Sequence, residues 1–128
     1  MKGQASLEFL IFASILILML SVYFWSSSSF QQRVNRIKSI EEAQRLCDKI
    51  AFEINLAVRA GDGYKREFYV DENLYGIGNF TIRVANNTVF LDWNEGSVSS
   101  SIITKNIVGT IEKGDNLIEN RGGTIYVW

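Results

Sequence analysis

Five residues near the start have types and spacing suited to one piece of chemistry: Lys2, Gly3, Gln4, Ser6 and Glu8. After Glu8 the next charged residue is Arg33. An ionised carboxylate at the head of so long an uncharged run is costly in hydrocarbon unless it is paired. The start of a helix eases that cost, because its free N–H groups and dipole favour negative charge there. Cutting the chain between Gly3 and Gln4 would supply a partner as well: a new ammonium group one helical turn from Glu8. In a lone helix that amine meets its own carboxylate. In a packed assembly it meets a neighbour's.

Other reactive types are scarce. Histidine is absent and Cys47 is the one cysteine. An intramolecular disulfide, a His/Cys metal cluster and a His-based catalytic dyad are therefore excluded within the chain. Asp62, Asp71, Glu72, Asp115 and Glu119 are loop or strand-end carboxylates without EF-hand spacing, so no metal is expected. No Ser/Lys pair, carboxylate pair or phosphate-cradling glycine loop stands out, so neither catalysis nor a cofactor is expected. Two sequons occur, Asn79-Phe80-Thr81 and Asn86-Asn87-Thr88, and each marks an asparagine that an extracellular location would open to glycosylation. The formal charge of −1 becomes −2 if residues 1–3 are lost with Lys2. No concentrated basic surface suggests nucleic acid as a partner.

The elements that must position these residues follow from hydrophobic period. Residues 9–25 are apolar nearly throughout and meet the lower limit of about 17–25 residues for a membrane span. Tyr23 and Trp25 stand at its far end, where amphipathic rings favour the headgroup boundary. Four serines at 26–29 soften the helix without ending it, because the pattern resumes at once. Phe30, Val34, Ile37, Ile40, Ala43, Cys47, Ile50, Ile54, Ala57 and Val58 recur at spacings of three and four, with mostly polar residues between, Glu53 among them. Gly61 supplies a C-cap. Residues 5–60 would form a rod on the order of 80 Å long at about 1.5 Å per residue. Cys47 falls on its apolar face, where a lone thiol behaves as a small hydrophobe. The competing role for Cys47 is an intermolecular disulfide.

These N-terminal residues resemble the class III signal peptide of archaeal type IV pilins. That family carries a short basic leader ending in glycine, then glutamine, a serine two residues on, and glutamate at the fifth mature position. Here these are Lys2, Gly3, Gln4, Ser6 and Glu8. The resemblance covers about the first tenth of the chain. It implies cleavage after Gly3 by a prepilin peptidase, with Lys2, Gly3 and Gln4 forming the cleavage site. It further implies that Ser6 and Glu8 aid assembly and that the apolar helix becomes the core of an extracellular filament. An ordinary secretory signal would instead be cut after its apolar region.

Beyond residue 63 the period changes to two. Residues 64–70 suggest a strand. Residues 80–85 and 88–93 flank Asn86-Asn87 as a two-residue hairpin, since asparagine tolerates the positive φ angles of so tight a turn. Its register predicts the facing pairs Val84 with Val89, Ile82 with Leu91 and Phe80 with Trp93, all on one face. A one-residue slip would mix the faces. Residues 97–104 and 106–111 suggest further strands, 113–116 a turn, and 117–120 with 124–128 a last hairpin. Proline is absent, so edge strands must be protected by loops, charges or neighbouring chains.

The predicted fold is α+β. A long helix, apolar in front and amphipathic behind, is wrapped over its C-terminal half by an antiparallel β domain, as the pilin resemblance also implies. The predicted organisation is a leader at 1–3, a transmembrane and filament-core helix at 4–29, an amphipathic continuation at 30–61 and the β domain at 62–128. The expected partners are identical or related subunits, the peptidase, and the membrane for the precursor. A rival expectation is a single-pass extracellular binding module that never polymerises, with Phe90 or Trp128 meeting a sugar or protein. An archaellin-like filament subunit is a closer variant of the first reading. Arg33, Arg36 and Lys38 after the span lean towards a cytoplasmic C-terminal part. The leader motif and the sequons both require the opposite, and the reading follows them: N-terminus inside, domain outside.

Overall fold

A computed structural model describes residues 2–128. Met1 and the side chain of Lys2 lie outside the described residues. The elements run in the order α1 (Lys2–Ala60), β1 (Lys65–Val70), β2 (Phe80–Ala85), β3 (Thr88–Trp93), β4 (Gly96–Ser101), β5 (Ile107–Gly109), β6 (Gly114–Arg121) and β7 (Thr124–Val127). The chain divides into two compact units, Met1–Arg36 and Ile37–Trp128. The α+β class with one long N-terminal helix and a mainly antiparallel β domain is as predicted.

The first unit is helix alone. α1 continues through the serines at 26–29 without a break, because serine is merely a weaker helix former and no glycine or proline interrupts the ladder. Ser14, Ser21 and Ser29 donate their hydroxyls to the carbonyls of Leu10, Ile17 and Trp25 at 2.7, 2.9 and 3.2 Å. That back-bonding satisfies polar atoms that lipid cannot. Leu7 and nearly every large apolar residue from Phe9 to Trp25 are exposed.

In the second unit the rest of α1 packs against two sheets, where a single sheet was expected. One has the order β1-β6-β7-β5 and the other β2-β3-β4. The shared core takes Ala43, Leu46, Cys47, Ile50, Ala51, Ile54 and Ala57 from the helix, and Phe68, Val70, Val89, Leu91, Ile118, Ile125 and Val127 from the strands. Burial on the helix begins at Ser39, so Phe30, Ile37 and Ile40 stay exposed although the 3.6 period includes them. Period alone cannot say where along the helix its cover starts.

The β2–β3 register matches expectation pair for pair: Val84 with Val89, Ile82 with Leu91, Phe80 with Trp93. Asn86 and Asn87 take φ of 50° and 60°, as the two-residue turn requires. Gly61, at φ 88°, ends α1 in the left-handed conformation. Three strand expectations change. The strand expected at 97–104, β4, stops at Ser101, after which the Ile103 N–H is taken by Asn55 Oδ1 at 2.8 Å. β5 keeps only three residues and runs parallel to β7. In the stretch 113–116, expected as a turn, only Lys113 stays outside a strand, because β6 begins at Gly114. Asn116 Nδ2 donates to the carbonyls of Glu112 (2.7 Å) and Gly114 (3.0 Å), while its main chain already pairs with Phe68.

Asn120 joins helix to sheet. Its Nδ2 donates to the carbonyl of Ala57 at 2.9 Å, and its Oδ1 accepts from the Gly123 N–H at 2.9 Å. The first bond satisfies one of the carbonyls that a helix C-terminus leaves open, and the second closes the β6–β7 turn. Asn120 is buried. Asn120→Leu is therefore expected to destabilise the second unit by about 2 kcal/mol, since it strands the buried Ala57 carbonyl and loses the partly buried bond to the Gly123 N–H. Denaturant titration of the full chain in micelles, followed by tryptophan fluorescence, measures this.

Candidate functional site

Gly3, Gln4, Ser6 and Glu8 all lie within the first two turns of α1, and all are exposed. The helix already begins at Lys2, so its first turn holds no acidic residue. This corrects one expectation: Glu8 is too far along to gain from the terminal N–H groups, whose influence fades within the first turn. Removal of residues 1–3 would move the helix start to Gln4. Glu8 would then sit one turn from a free ammonium. Among the described residues, no ion pair reaches Glu8. The Gly3–Gln4 bond lies in the helix's opening turn, where main-chain N–H groups have no partners within the helix. Opening that turn would sacrifice few bonds, and Gly3 weakens it further.

Beyond Glu8, the exposed face of the span includes residues that period analysis passed over. Ser14, Ser21 and Ser28, with Asn35 after them, recur every seventh residue. Small residues at that spacing let two helices approach closely in lipid or in an assembly. The signal was present in the sequence, but the dominant apolar pattern masked it.

The sequon asparagines differ. Asn86 is exposed on the β2–β3 turn. Asn79 is exposed as well, but its Oδ1 accepts from Lys113 Nζ at 2.9 Å, and that ammonium sits 4.3 Å from the Phe80 ring centroid. Phe90 and Trp128, the aromatic candidates for a binding surface, both have guanidinium groups over their rings. Arg83 lies 4.7 Å from the Phe90 centroid, and Arg121 lies 5.4 Å from that of Trp128.

The carboxylates have local duties. Asp62 Oδ1 accepts from the Gly122 N–H at 2.7 Å. Glu119 pairs with Arg121 at 2.8 Å, and that hydrogen bond holds its carboxyl below the usual range. Glu72, together with partial burial, Asp71 and Asp115, pushes the Tyr69 phenol up. Among the described residues, no group of three or more His, Cys, Asp or Glu comes together that could hold a metal ion. Glu53, placed by its period among the solvated positions, is buried instead, with Arg66 Nε 3.7 Å from its Oε2. β1 crosses that face of the helix and brings the arginine with it.

Cys47 is fully buried, and its Sγ–H donates to the Val89 carbonyl at 3.3 Å. The folded chain thus offers no thiol for an intermolecular disulfide. Burial first, and the nearby Asp48 second, push the thiol from 9.0 up to about 11. The neutral form is favoured in the folded state. That stabilisation is complete below pH 9.0 and disappears as pH rises through about 11. The parent chain is expected to lose more stability than Cys47→Ala between those limits in urea titrations. Iodoacetamide is expected to label Cys47 only after denaturation.

The helix Gly3–Ala60 is long and apolar enough to cross a membrane by length and composition. No family model, curated protein or solved structure matches the chain.

Proposed function

We propose that this chain is a structural subunit of an extracellular filament of the archaeal type IV pilus kind, serving surface attachment rather than catalysis. The observation that carries the proposal is the first unit: a helix with its apolar side chains exposed, headed by one carboxylate beside a Gly3–Gln4 bond. Lipid covers those side chains in the precursor, with the N-terminus inside and the second unit outside. Sister helices cover them in the filament. A prepilin peptidase cuts after Gly3. The new ammonium of Gln4 then neutralises Glu8 of the same or an adjacent subunit, so the acid can enter an apolar core. Ser14, Ser21 and Ser28 give neighbouring helices room to close. Asn79 and Asn86 are the proposed glycan sites, and Asn86 is the less encumbered.

N-terminal sequencing of material sheared from cells, with electron microscopy of the same fraction, tests the reading. Filaments whose subunits begin at Gln4 are the expected result. An intact Met1 on a membrane-bound monomer would support the non-polymerising anchored module instead. Intact mass of the same material should exceed that of residues 4–128 by sugar increments.

A further inference from the structure

The second unit has four sheet edges, and they fall into two pairs. β1 and β4 are edges that helix α1 serves directly. Lys49 Nζ donates to the Tyr69 carbonyl at 2.8 Å, and Gln44 Nε2 donates to the Ser99 carbonyl at 3.1 Å. Asn55 accepts from Ile103 just past the end of β4. The helix thus closes the seam between one edge of each sheet.

β2 and β5 are the other two edges, and they line a common groove of about 230 Å³. In the hairpin Ala85 closes against Thr88, so alternation along the strand turns the main-chain groups of Ile82 and Val84 away from β3. In the parallel pair Ile125 donates to the Asn106 carbonyl, so those of Ile107 turn away from β7. Among the described residues, no side chain caps them as Lys49 and Gln44 cap the other seam. The groove also has apolar lining from Ile82, Val84, Ile107 and Ile111. The charged residues on its wall are Arg83, whose guanidinium already pairs with Asp92 Oδ2 at 3.3 Å, and Lys105, which has no ion pair among the described residues.

We propose that this seam receives one extended polypeptide strand bearing an acidic residue, which pairs with β2 and β5 and joins the two sheets. Donors and acceptors repeating along two facing strand edges are matched by another main chain. The apolar lining accepts alternate side chains, and Lys105, the cation on this wall without a carboxylate partner among the described residues, selects for negative charge. The seam lies wholly in the second unit, so the filament reading can fail without affecting it.

Hydrogen exchange on the full chain in micelles tests the proposal. The probes are two capped heptapeptides, Val-Thr-Val-Asp-Val-Thr-Val and its counterpart with Lys for Asp. At millimolar concentration the Asp peptide is expected to slow exchange at Ile82, Val84 and Ile107 by roughly tenfold or more, leaving β1 and β4 unchanged. The Lys peptide should have far less effect. Val84→Pro removes an outward N–H without taking a bond from β3, and it should abolish the protection. An N-methylated Asp peptide, which lacks the main-chain donors, should also fail, and this control stands even if Val84→Pro does not fold. The proposal is overturned if the Asp peptide gives no protection, if the Lys or N-methylated peptide protects equally, or if protection persists in a folded Val84→Pro chain. It is likewise overturned if concentrating the protein alone produces the protection, which would make a second copy the occupant.

Discussion

Gly109→Ala is expected to leave the second unit largely unfolded at temperatures the parent chain survives. Gly109 ends β5 at φ 109°, where a side chain is strained before any contact is considered. A Cβ built there would fall on the carbonyl oxygen of Val127, with the carbonyl carbon 3.0 Å away. That oxygen is main chain of β7, the strand that holds β5 in the sheet, so no flexible side chain can move aside. Together the two effects should cost more than about 3 kcal/mol, at the severe end for a single substitution. Thermal melting by near-ultraviolet circular dichroism measures it. A melting point within a few degrees of the parent's would show that β5 can leave the sheet without loss. The helix signal of the first unit serves as an internal control.

Glu8→Ala is expected to separate membrane insertion from assembly. The precursor should reach the membrane at parental levels, since the substitution removes a charge from the head of the span. Filament yield should fall by on the order of a hundredfold, because the Gln4 ammonium is then buried among apolar helices without its counter-charge. Glu8→Gln keeps the shape without the charge and should fail similarly, which distinguishes pairing from packing. Quantitative immunoblotting of sheared and membrane fractions gives both numbers. Parental filament yield from either variant would remove Glu8 from the proposed role.

Several consequences were legible in residue order alone. The β2–β3 hairpin could be registered to the residue, because Asn86-Asn87 fixes the turn and six apolar residues then share one face. The end of α1 at Ala60-Gly61 was equally local. Asn116 shows the limit of such reasoning. Lys113, Gly114, Asp115 and Asn116 have the composition of a turn, yet β6 takes the last three, and the Asn116 side chain bonds back to the Glu112 carbonyl from inside that strand. A turn composition does not say which strand will claim its last residue.

What the sequence alone determined is the pair of periodicities. An apolar helix headed by one acid must find non-aqueous cover, and alternating strands behind it must cover the helix's second half. Hydrophobic spacing is a property of neighbours along the chain, so it survives without coordinates. Tertiary structure decided what depends on distant segments meeting. It divided the strands into two sheets, laid β5 parallel to β7, buried Glu53 beneath Arg66, and used the helix to close one seam while leaving the other open. Those outcomes turn on which main-chain edges and side chains come within hydrogen-bonding range, and no local pattern encodes that.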